Sequence, residues 1–138
     1  MSMIRKRTKA YLWPVSYIDL TKEDLSWLDK AIEKDYHGNS AKGVLDDFVR
    51  GFCQVWRIET GGILVTEIHA FEKSSVLYVK YLAGKNVIRN LDKIDACLKI
   101  HAKENNAKSI ECSAENKGIQ RFYSKRYTEI TRIYSMEV

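Results

Sequence analysis

The fold is decided by residues 53–84, which read CQVWRIETGGILVTEIHAFEKSSVLYVKYLAG. Three runs in this stretch combine alternating and continuous apolar positions with many β-branched and aromatic residues, a pattern typical of β-strands. A Gly-Gly pair and the sequence Glu-Lys-Ser separate the runs as turns. We therefore predict a meander whose strands cover 53–59, 63–71 and 75–82, in a sheet that is covered partly on both faces.

Two helices are predicted before the meander. Thr21 is a suitable N-cap, with Asp24 three residues later as a partial capping box, and Gly38 ends this first helix. A second helix follows Ser40. Its inward side is predicted to carry Val44, Leu45, Phe48, Val49 and Phe52. Residues 11–18, ahead of both helices, are predicted to form a first strand.

Helices and strands alternate after the meander. A helix is predicted from about Asn90 to Asn105, followed by a strand at 109–113, a short helix within 116–127 and a last strand at 129–138. The predicted order is β-α-α-β-β-β-α-β-α-β. A central meander that is flanked by helices and closed by βαβ-like crossovers is a mixed α/β sandwich.

Length and composition fit one globular domain. The chain has 138 residues, of which 45% are hydrophobic and 30% charged, and it contains no repeat or linker. We expect a basic tail at residues 1–10 and a single domain over 11–138. No apolar run is long enough to span a membrane, and the basic N-terminus is not followed by an apolar segment of the secretory type. A cytoplasmic protein without membrane contact is therefore expected.

The cysteines and histidines do not predict a metal site. The three cysteines are odd in number and widely spaced, and neither they nor the three histidines have the spacing of metal ligands. We therefore expect reduced, buried thiols and no bound metal. These residues are Cys53, Cys97, Cys112, His37, His69 and His101.

The net charge of +5 comes mostly from the N-terminal tail. Arg5, Lys6, Arg7 and Lys9 lie there, and without them the basic residues outnumber the acidic ones by one. A nucleic-acid-binding domain usually carries its excess charge on a folded face, so nucleic-acid contact through residues 5–9 is the weaker interpretation and a solvated terminus the stronger. Residues 80–103 and 116–127 are also locally basic, where a phosphorylated ligand could bind.

The end of the chain resembles a known superfamily. Residues 116–127 read NKGIQRFYSKRY, and Asn116, Ile119, Phe122, Tyr123 and Lys125 match in register the last helix of many GNAT N-acetyltransferases, N-x-x-A-I-x-F-Y-x-K-x-G-F. Tyr127 and Thr128 replace the final Gly-Phe of that pattern, or one residue is missing. Residues 53–138 carry the resemblance, which extends to short GNAT-like proteins of tailed bacteriophages.

The resemblance implies binding of acetyl-CoA and a set of site residues. Tyr123 would protonate the departing thiolate, which a phenol with a pKa of ~10 can do, and Asn116 would bond the pantetheine arm. The backbone around Tyr78 to Lys80 would receive the acetyl carbonyl, and Glu67 would act as a base. Packing of Phe122-Tyr123 in the core, an N-cap at Asn116 and a solvent-facing Glu67 are the structural alternatives.

The phosphate-binding loop matches the GNAT pattern least well. That pattern, Gln/Arg-x-x-Gly-x-Gly/Ala, corresponds here to Tyr81 through Asn86, in which Gly84 matches. Asn86 adds a side chain where the backbone should approach the diphosphate, although asparagine tolerates a left-handed turn. Lys85 and Arg89 could add positive charge. Weak binding of acetyl-CoA is therefore expected.

Two functions follow from these observations. The first is an acetyl-CoA-dependent N-acetyltransferase with a degenerate phosphate loop, which acts on an unknown amine. The second is a non-catalytic bacteriophage virion or head-assembly protein built on a GNAT scaffold, whose partners would be phage structural proteins. The FYxK segment favours the first, and the degenerate loop favours the second. Fold alone does not choose between them.

Overall fold

The computed structural model describes residues 11–33, 35, 38–112 and 135–137. Its five strands form one sheet in the order β1-β2-β3-β4-β5, with antiparallel neighbours except for the parallel pair β4–β5. The strands are β1 (Leu12–Pro14), β2 (Gln54–Ile58), β3 (Gly62–Ala70), β4 (Ser75–Gly84) and β5 (Ala107–Cys112). The helices are α1 (Lys22–Ile32), α2 (Ala41–Val49) and α3 (Leu91–Glu104), with a 3-10 helix at Tyr17–Asp19.

Local capping interactions fix the starts of the first two helices. The Thr21 hydroxyl accepts a hydrogen bond from the Asp24 N–H at 3.1 Å, and the Asp24 carboxylate accepts one from the Thr21 N–H at 2.9 Å. This reciprocal pair is the capping box that the sequence predicts. The Ser40 hydroxyl caps α2 through the Gly43 N–H at 3.1 Å. Both helix starts are therefore confirmed, although α1 ends at Ile32, before Gly38.

Two details of the N-terminal half were predicted wrongly. The first strand covers Leu12–Pro14 instead of 11–18, because the chain turns into the 3-10 helix at Tyr17. Val49 and Phe52 are exposed, whereas the apolar pattern placed them inward. The reason is that α2 ends at Val49 and the chain then turns through Gly51, at a φ of 81°, so the helical periodicity does not continue to Phe52.

A close approach of two backbones closes the β3–β4 hairpin at its far end. Gly62 pairs with Gly84. A Cβ on Gly62 would lie 2.5 Å from both the Ala83 oxygen and the Gly84 Cα, and Gly62 has a φ of 146°. A Cβ on Gly84 would lie 2.6 Å from the oxygen of Gly61. Glycine is therefore required here for packing of the hairpin itself.

Apolar residues cover both faces of the sheet, as predicted. On one face α3 contributes Leu91, Ile94 and Leu98 to a core with strand residues such as Leu64 and Leu77. On the other face α1 and α2 pack against a second group of strand residues. That group consists of Val55, Ile63, Val65 and Tyr81, and it packs with Leu28, Ile32, Val44 and Cys53. The fold class, a mixed α/β sheet flanked by helices, is confirmed.

The parallel pair β4–β5 lies at one edge of the sheet in the described residues. Pairing runs from Ser75 opposite Ala107 to Val79 opposite Cys112, so the predicted parallel direction is confirmed. β4 continues to Gly84 beyond the last of these pairs. The predicted tail at 1–10 and the predicted helix within 116–127 lie outside the described residues. So does most of the strand predicted at 129–138, of which residues 135–137 are described and are not in a strand. No helix in the described part of the chain is long and apolar enough to cross a membrane.

Candidate functional site

A β-bulge interrupts β4 at Lys80. Val65 of β3 pairs with Tyr81, and the next residue, Thr66, pairs with Val79, which leaves Lys80 as the extra residue. The bulge immediately follows Val79, the last residue of β4 that pairs with β5 among the described residues. Bulges redirect side chains and disrupt regular pairing, and they are frequent beside active sites. β4 is thus irregular at the place where the family resemblance implies contact with an acetyl carbonyl.

Glu67, Lys80 and His69 form a charged cluster next to the bulge. Lys80 Nζ donates to Glu67 Oε2 at 3.0 Å, and His69 Nε2 lies 2.8 Å from Glu67 Oε1. The exposed fractions of the Glu67, Lys80 and His69 side chains are 18%, 26% and 41%, respectively. Glu67 is therefore not the solvated residue that simple alternation would give, because both of its oxygens are held by neighbours.

The ionisation of this cluster follows from its contacts. Burial raises the pKa of Glu67, but hydrogen bonds from His69 and Lys80 outweigh burial, so the net pKa is lowered. Burial lowers the pKa of Lys80, and the hydrogen bond and charge of Glu67 reverse this, so its net pKa is raised. Both shifts favour the charged forms. At neutral pH, Glu67 and Lys80 form an ion pair.

Tyr78 completes the cluster on the same face. Its ring stacks on His69 with centroids 5.0 Å apart and planes inclined by 18°. Glu67 pairs with Tyr78 across β3 and β4, which places these side chains beside each other. Glu67 and His69 alternate along β3 and therefore share a face of that strand, which is consistent with their direct contact.

A second polar group connects β4 to the segment between α1 and α2. The Tyr81 hydroxyl donates to the Asp35 carboxylate. The Asn39 amide donates to Asp35 Oδ2 at 2.8 Å and to the Tyr81 oxygen at 3.0 Å. Tyr81 is thus buried on the α1–α2 face, and its hydroxyl is held there by Asp35 and Asn39. Asp35 and Asn39 were missed because 46 and 42 residues separate them from Tyr81.

The cysteines in the described residues are free, and Cys53 is buried. Burial, followed by the negative charges of Glu67 and Asp47, raises the pKa of Cys53 to about 11. Its thiol is therefore protonated at neutral pH and is a poor nucleophile. Among the described residues, no group of three His, Cys, Asp or Glu side chains could hold a metal ion.

The turn between β4 and α3 combines suitable and unsuitable features for a diphosphate. Asn86 adopts the left-handed conformation that the sequence analysis allowed, with a φ of 55°. Lys85, Asn86 and Arg89 are exposed. The Lys85 N–H, however, donates to the Gly61 oxygen at 2.8 Å. Gly84 is explained by the hairpin contact, so its presence is not evidence of phosphate binding.

The site residues predicted from the sequence fall into three groups. Glu67, Tyr78 and Lys80 come together on one face of β3 and β4. Gly84, Lys85, Asn86 and Arg89 lie in or next to the turn before α3. Asn116 and Tyr123 lie outside the described residues. His69 was not predicted as a site residue, and its alternation with Glu67 along β3 is the sequence signal that could have indicated their contact.

Comparison with solved structures identifies the architecture. A probable acetyltransferase superposes with a TM-score of 0.63 at 15% identity, covering 92% of this chain and 97% of that one. An aminoglycoside acetyltransferase from an uncultured soil metagenomic sample gives a TM-score of 0.63 at 20% identity, over 92% and 97% of the two chains. The aminoglycoside N-acetyltransferase AAC(6′)-Iy, in complex with CoA, gives 0.61 at 10% identity, over 92% and 93%.

The sequence comparisons gave no matches. No family model matches the chain, and no curated protein matches it. The structural likeness, at these low identities, establishes the fold. The chain has the mixed α/β fold of GNAT acetyltransferases.

Proposed function

We propose that this protein is an acyl-CoA-dependent N-acyltransferase, with acetyl-CoA as the first donor to test. The observation that carries the proposal is the location of the Glu67 cluster. It lies beside the Lys80 bulge, where β4 continues past its last described pair with β5. In a GNAT fold, this arrangement provides an irregular strand for the acyl carbonyl and ionisable side chains for proton transfer at the same place.

The residues present fit an acyl-CoA, with a weaker fit at the diphosphate. Lys85 and Arg89 offer positive charge at the turn before α3, and the backbone of β4 beyond Val79 can receive the acyl and pantetheine part. An acyl-CoA would supply a thioester that an amine can attack. Asn116 is proposed to bond the pantetheine arm, and Tyr123 is proposed to give a proton to the departing sulfur, as the resemblance implies.

The acceptor is proposed to be a primary amine. Two of the three structures described above are aminoglycoside acetyltransferases, so aminoglycosides are the first acceptors to assay. Glu67 is proposed to assist in removing a proton from this amine. Transfer of radiolabelled acetyl groups to kanamycin, spermidine and a lysine-containing peptide would test the activity directly. Absence of transfer to all three, by a protein that remains folded, would contradict the proposal.

The turn before α3 supports a second candidate, a non-catalytic GNAT scaffold. The Lys85 N–H is already bonded to Gly61, and Asn86 adds a side chain at the turn. A bacteriophage virion or assembly protein would use the domain as a docking module. Binding of acetyl-CoA separates the two candidates, because a docking module does not require it.

Substitution of Asn86 is expected to strengthen acetyl-CoA binding. Asn86→Gly keeps the left-handed turn and removes the side chain that keeps a diphosphate away from the backbone. One regained N–H contact to a charged acceptor contributes about 1.5–3 kcal/mol. Since 1.4 kcal/mol corresponds to a factor of ten, affinity should rise roughly 10- to 100-fold. Calorimetric titration with acetyl-CoA measures this change.

Asn106→Gly is the matched control. Asn106 also has a positive φ, of 56°, but it follows α3 at the other end of that helix. This variant should leave the affinity unchanged, and acetyl-pantetheine, which lacks the diphosphate, should bind equally to all three proteins. Tight binding of acetyl-CoA by the unaltered protein, with no gain in Asn86→Gly, would mean that the Asn86 side chain does not obstruct the ligand.

A further inference from the structure

Both oxygens of the Glu67 carboxylate are engaged by neighbouring side chains. Oε1 contacts His69 Nε2 at 2.8 Å, and Oε2 accepts from Lys80 Nζ at 3.0 Å. A carboxylate in this state is a poor proton acceptor, because protonation would break a favourable contact to a cation or to an N–H donor. The group that accepts the proton of the amine is therefore expected to be a neighbour of Glu67.

The contact with Glu67 defines the state of the His69 ring. An ionised carboxylate only accepts hydrogen bonds, so Nε2 must carry the hydrogen in this contact. In the neutral ring, Nδ1 then keeps its lone pair. Nδ1 forms no hydrogen bond with any residue that the structure describes. The His69 side chain is 41% exposed, so solvent reaches part of it.

We propose that His69 is the catalytic base of the acyl transfer, and that Glu67 is a positioning residue that orients its ring. This assignment rests on the proposed function and names a different proton acceptor within the same site. The stacked Tyr78 ring holds the imidazole plane from one side, and Lys80 holds the second oxygen of Glu67. The arrangement gives each of the four side chains a separate task.

The proton and bond changes balance as follows. The acceptor ammonium gives one proton to Nδ1 of His69. The freed amine forms a nitrogen–carbon bond with the thioester carbonyl as the carbon–sulfur bond breaks. Tyr123 gives the departing sulfur its proton, and the second proton of the amine restores the Tyr123 hydroxyl. The products are an amide, a free thiol and a protonated His69. The exposed ring then returns its proton to solvent.

The charged and titratable groups around His69 are compatible with this role. Glu67 on the same strand contacts the ring through Oε1. Tyr78 and Lys80 of β4 face it, and Lys80 is already neutralised by Glu67. Asp47 of α2 and the thiol of Cys53 lie near enough to Lys80 to influence its ionisation. The negative charge of the ion-paired Glu67 thus stabilises the imidazolium that forms during transfer.

The first test needs no acceptor substrate. Nitrogen-15 spectra of histidine-labelled protein report which ring nitrogen carries the hydrogen, and the His69→Asn variant assigns the signal. We expect a single Nε2–H tautomer for His69, a mixture in Glu67→Ala, and no change in Lys80→Met, which retains the Glu67 oxygen next to the ring. A His69 ring that carries its hydrogen on Nδ1 and none on Nε2 in the unaltered protein would overturn the proposal.

The second test is chemical rescue of turnover. With acetyl-CoA and whichever of kanamycin, spermidine or the lysine peptide is acetylated fastest, His69→Ala should lower kcat by about 10²–10⁴-fold, the usual contribution of a general base. Added imidazole should restore part of kcat in His69→Ala, because the exposed position leaves room for it. Imidazole should not accelerate the unaltered protein or Glu67→Ala.

The outcomes separate this proposal from the proposed function. If acetyl transfer occurs and His69→Ala retains full kcat, or if imidazole gives no rescue, the base assignment is wrong while the acyltransferase stands. If the unaltered protein acetylates none of the three amines, the proposed function fails, and the role of His69 fails with it. A loss of kcat in Glu67→Ala without a change in KM supports positioning, whereas a larger loss than in His69→Ala would contradict it.

Discussion

Gly62→Ala is expected to lower the free energy of unfolding by about 4 kcal/mol or more, which is in the exceptional range for one substitution. The added Cβ would lie 2.5 Å from two backbone atoms of β4, the Ala83 oxygen and the Gly84 Cα, and 3.1 Å from Ile58 Cδ1. Backbone atoms cannot rotate away as a side chain can, so the hairpin must separate. Urea denaturation, followed by circular dichroism, measures the loss.

Gly51→Ala is the matched control for this substitution. Gly51 also has a positive φ, of 81°, but a Cβ there would meet nothing within 4 Å. It should therefore show only the cost of the backbone conformation, about 1–2 kcal/mol. Equal losses in the two variants would mean that the close approach of β3 and β4 contributes nothing beyond conformational strain.

Asp24→Ala is expected to lower the free energy of unfolding by about 3 kcal/mol. The Asp24 carboxylate bonds Arg57 through two contacts, of 2.6 and 3.0 Å, and also completes the capping box of α1. A lost cap costs about 1 kcal/mol, and breaking a buried pair costs about 3–5 kcal/mol. Arg57 is 39% exposed, while Asp24 is 4% exposed, so Arg57 can regain water and the expected loss lies below the sum of these two costs.

A double-mutant cycle with Arg57→Met separates the ion pair from the cap. Arg57→Met leaves the capping box intact and removes the pair, together with the hydrogen bond from Arg57 to the Asp19 carbonyl oxygen. The sum of the two single losses in the free energy of unfolding should therefore exceed the loss in the double variant. Additive losses would show that Asp24 acts through the cap alone.

The Asp24 contribution also predicts a dependence on pH. Burial raises the pKa of Asp24, but the hydrogen bonds from Arg57 and Thr21 together outweigh it, so the folded-state pKa lies below the ordinary value of 3.8. A depressed carboxyl pKa stabilises the fold above that ordinary value, and the stabilisation is lost as the pH falls through the folded-state pKa. The difference in the free energy of unfolding between the unaltered protein and Asp24→Ala should thus be constant near neutrality and should shrink below about pH 4.

Local signals in the sequence were sufficient for most of the fold. The capping positions Thr21 and Ser40 act within three residues of themselves, so the starts of α1 and α2 could be located from the sequence alone. The three strands of the meander follow from their apolar pattern and from the short turns between them. Val49 and Phe52 were misplaced because periodicity does not report where a helix stops touching the core.

The site was harder to predict because its geometry depends on strand register. The pair of Glu67 with Lys80 requires knowledge that Lys80 is an extra residue in β4, and no local pattern marks that bulge. Gly84 matched the pattern of a phosphate loop, but in the structure it packs closely against Gly61 and against Gly62, the first residue of β3. The Asp24–Arg57 pair joins residues 33 positions apart, which composition and spacing do not reveal.

The parallel pairing of β4 with β5 has a consequence for the order of folding. β2, β3 and β4 follow one another through short turns, so their ladders close small loops, whereas β5 reaches β4 only after the whole of α3. Closure of the longer loop costs more chain entropy, and this cost is offset only when the β4–β5 contacts have formed. Such non-local contacts therefore form late. Amide hydrogens in the β4–β5 ladder should therefore exchange with deuterium faster than those between β3 and β4. The edge beside the candidate site would then open while the meander stays closed, which gives a long ligand a route in without global unfolding.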